Sequence, residues 1–197
     1  VGANVKFLSS KIENFTSQGL ATDIGVYYFS DYRPYSFTAV IRNLGYQITP
    51  YEEVREEIAY DVAIGASFLM SDVPIKWHLT MNSLQQWNLA VPNPSNSNTD
   101  LDGNTEEESI SFLDNMMRHF VIGVELFPES KFNLRFGYNF RRAAELKLAE
   151  ARTFAGLSAG FGLKMGRFKF DYAFTKYHPV DNSSTFTLYI DLTRKGF

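Results

Sequence analysis

FAGLSAGFGLKMGRFKFDYAFTKY, Phe154 to Tyr177, is the stretch whose reading decides the fold. From Phe168 every second residue is large and apolar (Phe168, Phe170, Tyr172, Phe174), and Lys169, Asp171, Ala173 and Thr175 stand between them. Strict alternation of this kind is a β-strand with one apolar and one polar face. The preceding run alternates as well, with Leu157, Ala159, Phe161, Leu163 and Met165 set against Ser158, Gly160, Gly162 and Lys164. Gly166 and Arg167 join the two runs, and Gly leading a two-residue loop suits a type II′ hairpin. That loop places Met165 opposite Phe168, Leu163 opposite Phe170 and Phe161 opposite Tyr172, so both apolar sides share one face. The same register sets Lys164 opposite Lys169, a like-charge pair that is tolerable only at a wet sheet end.

Working outward, the 197 residues suffice for one sizeable domain, read as 1–197. A formal net charge of -3 carries no basic footprint for nucleic acid. No apolar run approaches the length of a transmembrane helix. Aromatic content is high, with 18 Phe and 11 Tyr, and it falls on the alternating segments. With no Cys, disulfides, thiolate nucleophiles and Cys-ligated metals are all excluded. No leader sequence opens the chain, which reads as a mature or trimmed piece.

Ten strands are expected, at about Ala3–Ser9, Leu20–Tyr28, Tyr35–Arg42, Tyr60–Leu69, Ile75–Asn82, Phe120–Leu126, Phe132–Phe140, Leu157–Met165, Phe168–Thr175 and Thr185–Leu192. Short connections follow the second, fourth, sixth and eighth strands. Longer ones follow the others: Ser10–Gly19, Asn43–Ala59, Ser83–Arg118, Arg141–Thr153 and the link after the ninth strand. Alternating tight turns and long loops are the habit of a transmembrane β-barrel, and ten strands return the C-terminus to the tight-turn side. Alternation alone does not say whether the apolar face meets lipid or a soluble core, and a soluble β-rich ligand binder is the rival reading. Strands of nine or ten residues, the loop asymmetry and Tyr and Trp near strand ends (Tyr27, Tyr28, Tyr32, Tyr35, Trp77, Tyr138, Tyr177) favour the barrel. The expected fold is therefore all-β, an antiparallel transmembrane barrel.

VGANVKFLSSKIENFTSQGLATDIGVYYF, FNLRFGYNFRRAAELKL and the run from Phe154 to Leu192 together resemble the PorQ family of the type IX secretion system. The resemblance spans most of the chain outside Trp87–Met117. It implies a FadL-like outer-membrane barrel of about fourteen strands, of which this chain would be the C-terminal part. It further implies membership of a surface attachment complex with a PorV-like barrel, a PorU-like sortase and a PorZ-like surface protein, joining cargo to lipopolysaccharide. External loops and a periplasmic C-terminus would follow. A FadL-like conduit for hydrophobic small molecules is the alternative.

The polar side of the strands offers Asp23, Asp61, Lys76, His78, Glu125, Arg135, Lys169 and Asp171 as lumen-facing groups. Their mixed signs suit a salt-bridged wall better than an ion filter. His78, His119 and His178 lie on separate elements without metal-ligand spacing, and no cofactor is expected. The acidic run Asp100–Asn104 with Glu106, Glu107 and Glu108 reads as a solvated loop and not as a calcium site. Gly156, Gly160 and Gly162 follow the strand period, so they are not a nucleotide fingerprint. No serine sits in a nucleophile elbow, and no enzyme is indicated. The loop 83–118 should hold a helix, with Thr105 and Glu108 as its capping box and Ile110, Leu113, Met116 and Met117 as an apolar stripe. Together with Trp87 these form the candidate partner-binding set. A second short helix is expected over Ala143–Glu150.

Overall fold

The computed structural model describes residues 1–13, 15–51, 55–90, 98–99, 105–106, 110–146, 154–176 and 182–192. Strands β1 (Gly2–Ile12), β2 (Phe15–Phe29), β3 (Tyr35–Thr49), β4 (Asp61–Leu69) and β5 (Ile75–Met81) come first. A two-residue ribbon, β6 (Asn98–Thr99) with β7 (Thr105–Glu106), and helix α1 (Phe112–Met117) occupy the long loop. Then follow β8 (Phe120–Leu126), β9 (Phe132–Asn139), helix α2 (Phe140–Glu145), β10 (Leu157–Met165), β11 (Phe168–Thr175) and β12 (Ser183–Ile190). Apart from the ribbon, all strands join one ten-stranded antiparallel sheet in chain order. Among the described residues β1 pairs with β2 alone and β12 with β11 alone.

The hairpin takes the register expected of it. Met165 pairs with Phe168, Leu163 with Phe170, Phe161 with Tyr172 and Lys164 with Lys169. Gly166 has a positive φ of 56°, the conformation glycine adopts without strain at a tight turn. The apolar face then runs unbroken across the sheet. Phe170 pairs with Leu188, Phe161 with Leu134, Phe136 with Val124, Trp77 with Val124 and Phe68, and Ile41 with Ile24 and Val62. Each tight turn is sewn to its neighbour by a backbone bond: Leu69 N–H to Pro34 O, Phe127 N–H to Pro74 O, Lys164 N–H to Lys131 O and Asp191 N–H to Arg167 O, all 2.7–2.8 Å.

The loop side departs from expectation in four places. The link Ser10–Gly19 is mostly strand, since β1 and β2 continue to a tight turn at Glu13, and the first part of Asn43–Ala59 is strand because β3 runs on to Thr49. At 15 residues each, β2 and β3 are the longest strands of the sheet. At the loop-side ends of β1 and β2 large apolar residues give way to Ser9, Ser10, Lys11, Thr16, Ser17 and Gln18, yet one face stays sheltered: Ser17 is buried and accepts from Gln47 Nε2 at 2.7 Å. Helix α1 is capped by Ser111, whose hydroxyl accepts from Asp114 N–H at 3.1 Å; Thr105 instead lies in the ribbon, and Ile110 precedes the helix. The second helix, Phe140–Glu145, is capped by Asn139 and starts three residues before the expected Ala143, whereas residues 147–150 of that expectation lie outside the described residues. The expected acidic stretch Asp100–Asn104, Glu107, Glu108, Tyr177 and His178 lie outside the described residues.

The burial pattern is inverted relative to a water-soluble sheet. Phe186 on the apolar face is 67% exposed, whereas the carboxylates of Glu125 and Asp171 on the polar face are only 15% and 14% exposed. Fully or nearly buried side chains on the sheet are small or polar: Ser17, Ala21, Ser36, Gln47, Ala63 and Asn133. The side chains that shield one another are therefore the polar ones.

Candidate functional site

The polar face is built as a chain of ion pairs that steps from strand to strand. Arg135 on β9 donates from Nε to Glu125 Oε1 on β8 at 3.2 Å, and from an Nη nitrogen to Asp171 Oδ1 on β11 at 3.0 Å. His78 Nε2 on β5 lies 3.7 Å from the other Glu125 oxygen, and Lys169 Nζ lies 3.0 Å from the other Asp171 oxygen. Five of the eight expected lumen-facing residues thus form one lattice across β5, β8, β9 and β11. Each carboxylate holds partners on both of its oxygens, which suits partly shielded charges. Lys76 stands beside this lattice, opposite Glu125 in register.

The bridge from Arg135 to Asp171 passes over β10, a span of about 10 Å set by two strand spacings. Glycine makes the passage possible. Gly160 faces Arg135 and Gly162 faces Asp171 in the pairing. A Cβ on Gly162 would lie 2.6 Å from Asp171 Oδ1 and 2.5 Å from Asn133 Oδ1, and one on Gly160 would lie 2.5 Å from the Tyr172 carbonyl. The strand-period glycines are gaps that let flanking side chains meet.

The remaining two polar positions, Asp23 on β2 and Asp61 on β4, each have partners of their own. Lys6 Nζ contacts Asp23 Oδ2 at 2.6 Å and donates to Asn43 Oδ1 at 2.9 Å. Asn43 in turn donates its backbone N–H to Asp23 Oδ1 at 2.9 Å. Asn43 has a positive φ of 57° beside an irregularity in the β2–β3 register, a conformation that Asn tolerates well. Asp61 pairs with Arg42 at 3.3 Å and accepts the Ser83 backbone N–H at 3.0 Å, tying the root of the long loop to the wall.

That loop begins as a folded platform. Leu84 N–H donates to the Val62 carbonyl, and the Gln85 side chain bonds both Val62 N–H and the Tyr60 carbonyl. Asn115 is buried at the centre: its Oδ1 accepts Leu89 and Ala90 N–H at 3.0 and 3.1 Å, and its Nδ2 donates to the Trp87 carbonyl at 2.6 Å. His119 is fully buried, stacks on the Trp87 indole at 5.2 Å, and has its ring nitrogens 2.8 Å from the Asn82 carbonyl and 3.1 Å from the Trp87 carbonyl. It acts here as a structural strut.

The apolar stripe of Ile110, Leu113, Met116 and Met117 is split. Leu113 is 65% exposed and its neighbour Phe112 is 66% exposed, while Ile110, Met116 and Met117 are half-buried. Trp87 remains partly exposed on top, 5.3 Å from the Phe112 ring. Of the candidate partner-binding residues, Trp87 and Leu113 therefore present surface, joined by Phe112, which the helical spacing had not singled out. Buried Asn115 and His119 were missed as well; the Ser111–Asp114 spacing was the available sign that the helix starts later.

Among the described residues no three His, Cys, Asp or Glu side chains gather as metal ligands, and no helix is long and apolar enough to cross a membrane. Comparison with protein-family models, with curated proteins and with solved structures found no match.

Proposed function

We propose that this chain forms wall and external loops of an outer-membrane β-barrel that serves protein secretion without catalysing a reaction. Its role is to hold an extracellular partner in a type IX surface attachment complex. The observation that carries this reading is the inverted burial: large apolar side chains stand outward while charged ones pair with each other on the sheltered face. A soluble sheet with this face bare would aggregate, whereas lipid covers it at no cost. The exposed apolar face bears on the membrane, and the resemblance to the PorQ family supplies the secretion role.

In this reading the ion lattice stiffens the lumen, and the loops around 83–118 face outward to a PorZ-like surface protein. A PorU-like sortase and a PorV-like barrel complete the assembly, with lipopolysaccharide as cargo acceptor. The test has two steps. The native protein should fractionate with outer membranes and need detergent for extraction; recovery in the soluble fraction would refute the barrel. Replacing residues 88–114 by a Gly/Ser linker should leave the barrel in the membrane but release the PorZ-like protein from purified complexes. Full retention of that partner would instead favour the FadL-like conduit.

A further inference from the structure

The sheltered face of the sheet also holds a depression that the ion lattice does not fill. It lies over β2 to β5 and has a volume of about 270 Å³. Register builds it. Thr38, Gly65 and Thr80 stand side by side in one row across β3, β4 and β5. A Cβ on Gly65 would lie 3.6 Å from Thr80 Oγ1 and 4.0 Å from Thr38 Cβ, so the glycine leaves an open floor between two threonines. In the next row of the same face Ser67 pairs with His78, and the Ser67 hydroxyl lies 2.7 Å from that of Ser36. Lys76 follows on β5 at this end, and Arg42 on β3 lies at the opposite end. Among the described residues no carboxylate lines the depression.

Charge decides what the depression holds. Arg42 is paired with Asp61 at 3.3 Å. In the neighbouring lattice Arg135 and Lys169 balance Glu125 and Asp171, and the two Glu125 oxygens already face Arg135 and His78. Lys76 is left over: it is half-buried and has no hydrogen bond or ion pair among the described residues. A shielded ammonium without a counter-charge is costly, and its three N–H donors lack an acceptor. We infer that the depression binds a small oxyanion from solution, of the phosphate class, held by Lys76 with the Ser67 and Thr80 hydroxyls donating to its other oxygens. Several acceptor oxygens on one anion match several donors on one wall, which a halide does not. The volume falls below the roughly 300–1,000 Å³ of pockets for drug-sized ligands, so the solute is small. The site is made by the sheet alone and is independent of what the external loops hold.

The test is phosphorus NMR of inorganic phosphate titrated with the full-length protein in a phosphate-free, non-ionic detergent. The expected result is saturable line broadening that reports one bound phosphate per chain and is not reversed by chloride at equal ionic strength. Lys76→Met should weaken binding about tenfold or more, because a charge-assisted bond is lost. Its urea midpoint should not fall, since no internal partner is removed. Gly65→Val fills the floor without changing charge and should abolish binding; the open Cβ position and the β-branched side chain suit the strand. Lys164→Met, at an exposed strand end, is the control and should leave binding unchanged. No saturable binding, displacement by chloride, an equal loss in Lys164→Met, or wild-type affinity in folded Gly65→Val would each overturn the inference. A lower midpoint for Lys76→Met would give Lys76 an internal partner and overturn the charge argument that carries it.

Discussion

Phe170→Arg, compared with Thr187→Arg, tests which face meets lipid. Phe170 pairs with Leu163 and Leu188, and its ring lies 6.2 Å from Phe161 and 6.0 Å from Phe186. It stands about 5 Å along the strand from the middle of β11, taking about 3.3 Å per residue, which in the proposed barrel would put it close to the membrane midplane. Arginine on the lipid face at that depth costs about 2–4 kcal/mol. Loss of two aromatic neighbours adds about 1 kcal/mol, giving about 3–5 kcal/mol in all. Thr187 sits one step along β12 from Leu188 and pairs with Asp171 on the other face. At the same depth, arginine there meets water and a carboxylate, and the change should stay below about 1 kcal/mol. Urea titration in phospholipid vesicles, followed by the fluorescence of Trp77, reads both values. Equal costs for the two variants, or a wild-type protein that stays folded in buffer without lipid or detergent, would sink the face assignment.

Removing the centre of the lattice by Arg135→Met should destabilise the sheet by about 1–3 kcal/mol, since Glu125 and Asp171 each lose a charged hydrogen bond. In a double-mutant cycle with Asp171→Asn the coupling should reach about 1 kcal/mol, and additive effects would mean the pair contributes nothing. Asn115→Ala removes three hydrogen bonds from the loop base and should open the segment 82–90 to protease, with the sheet's urea midpoint unchanged. A fall in the midpoint would mean that the loop base and wall unfold together.

The sequence revealed the wall better than what stands on it, for a physical reason. One face of the sheet is apolar and exposed and the other polar and sheltered, so Phe168 to Thr175 shows its conformation residue by residue. Toward their far ends β1, β2 and β3 continue through Ser10, Ser17 and Gln47, polar residues that read as loop although Ser17 and Gln47 are buried. Register irregularities between β2 and β3 further break the phase. Polar residues of the lattice could be named from alternation, but their partners could not, because Arg135 and Asp171 are neighbours only across β10. In the loop, Ile110, Leu113, Met116 and Met117 read as one apolar stripe for a partner. The helix packs instead through Asn115, whose fit depends on backbone groups far along the chain.

The glycine gap in β10 also bears on how this sheet finds its alignment. Alternation penalises a one-residue slip, which would turn every side chain to the wrong solvent, but it is blind to a slip of two. A two-residue slip of β10 one way would push Lys164 beneath the Arg135–Asp171 crossing, setting a third cation and a long side chain in a space shaped for hydrogen. The opposite slip would bring Ser158 to the place of Gly160, where its Cβ would run into the Tyr172 carbonyl. The first misalignment is blocked by the strap of charge and the second by the backbone of β11. Ion pairs of modest net stability can therefore serve as a proofreading key, rejecting a near-native pairing that hydrophobic patterning alone would accept.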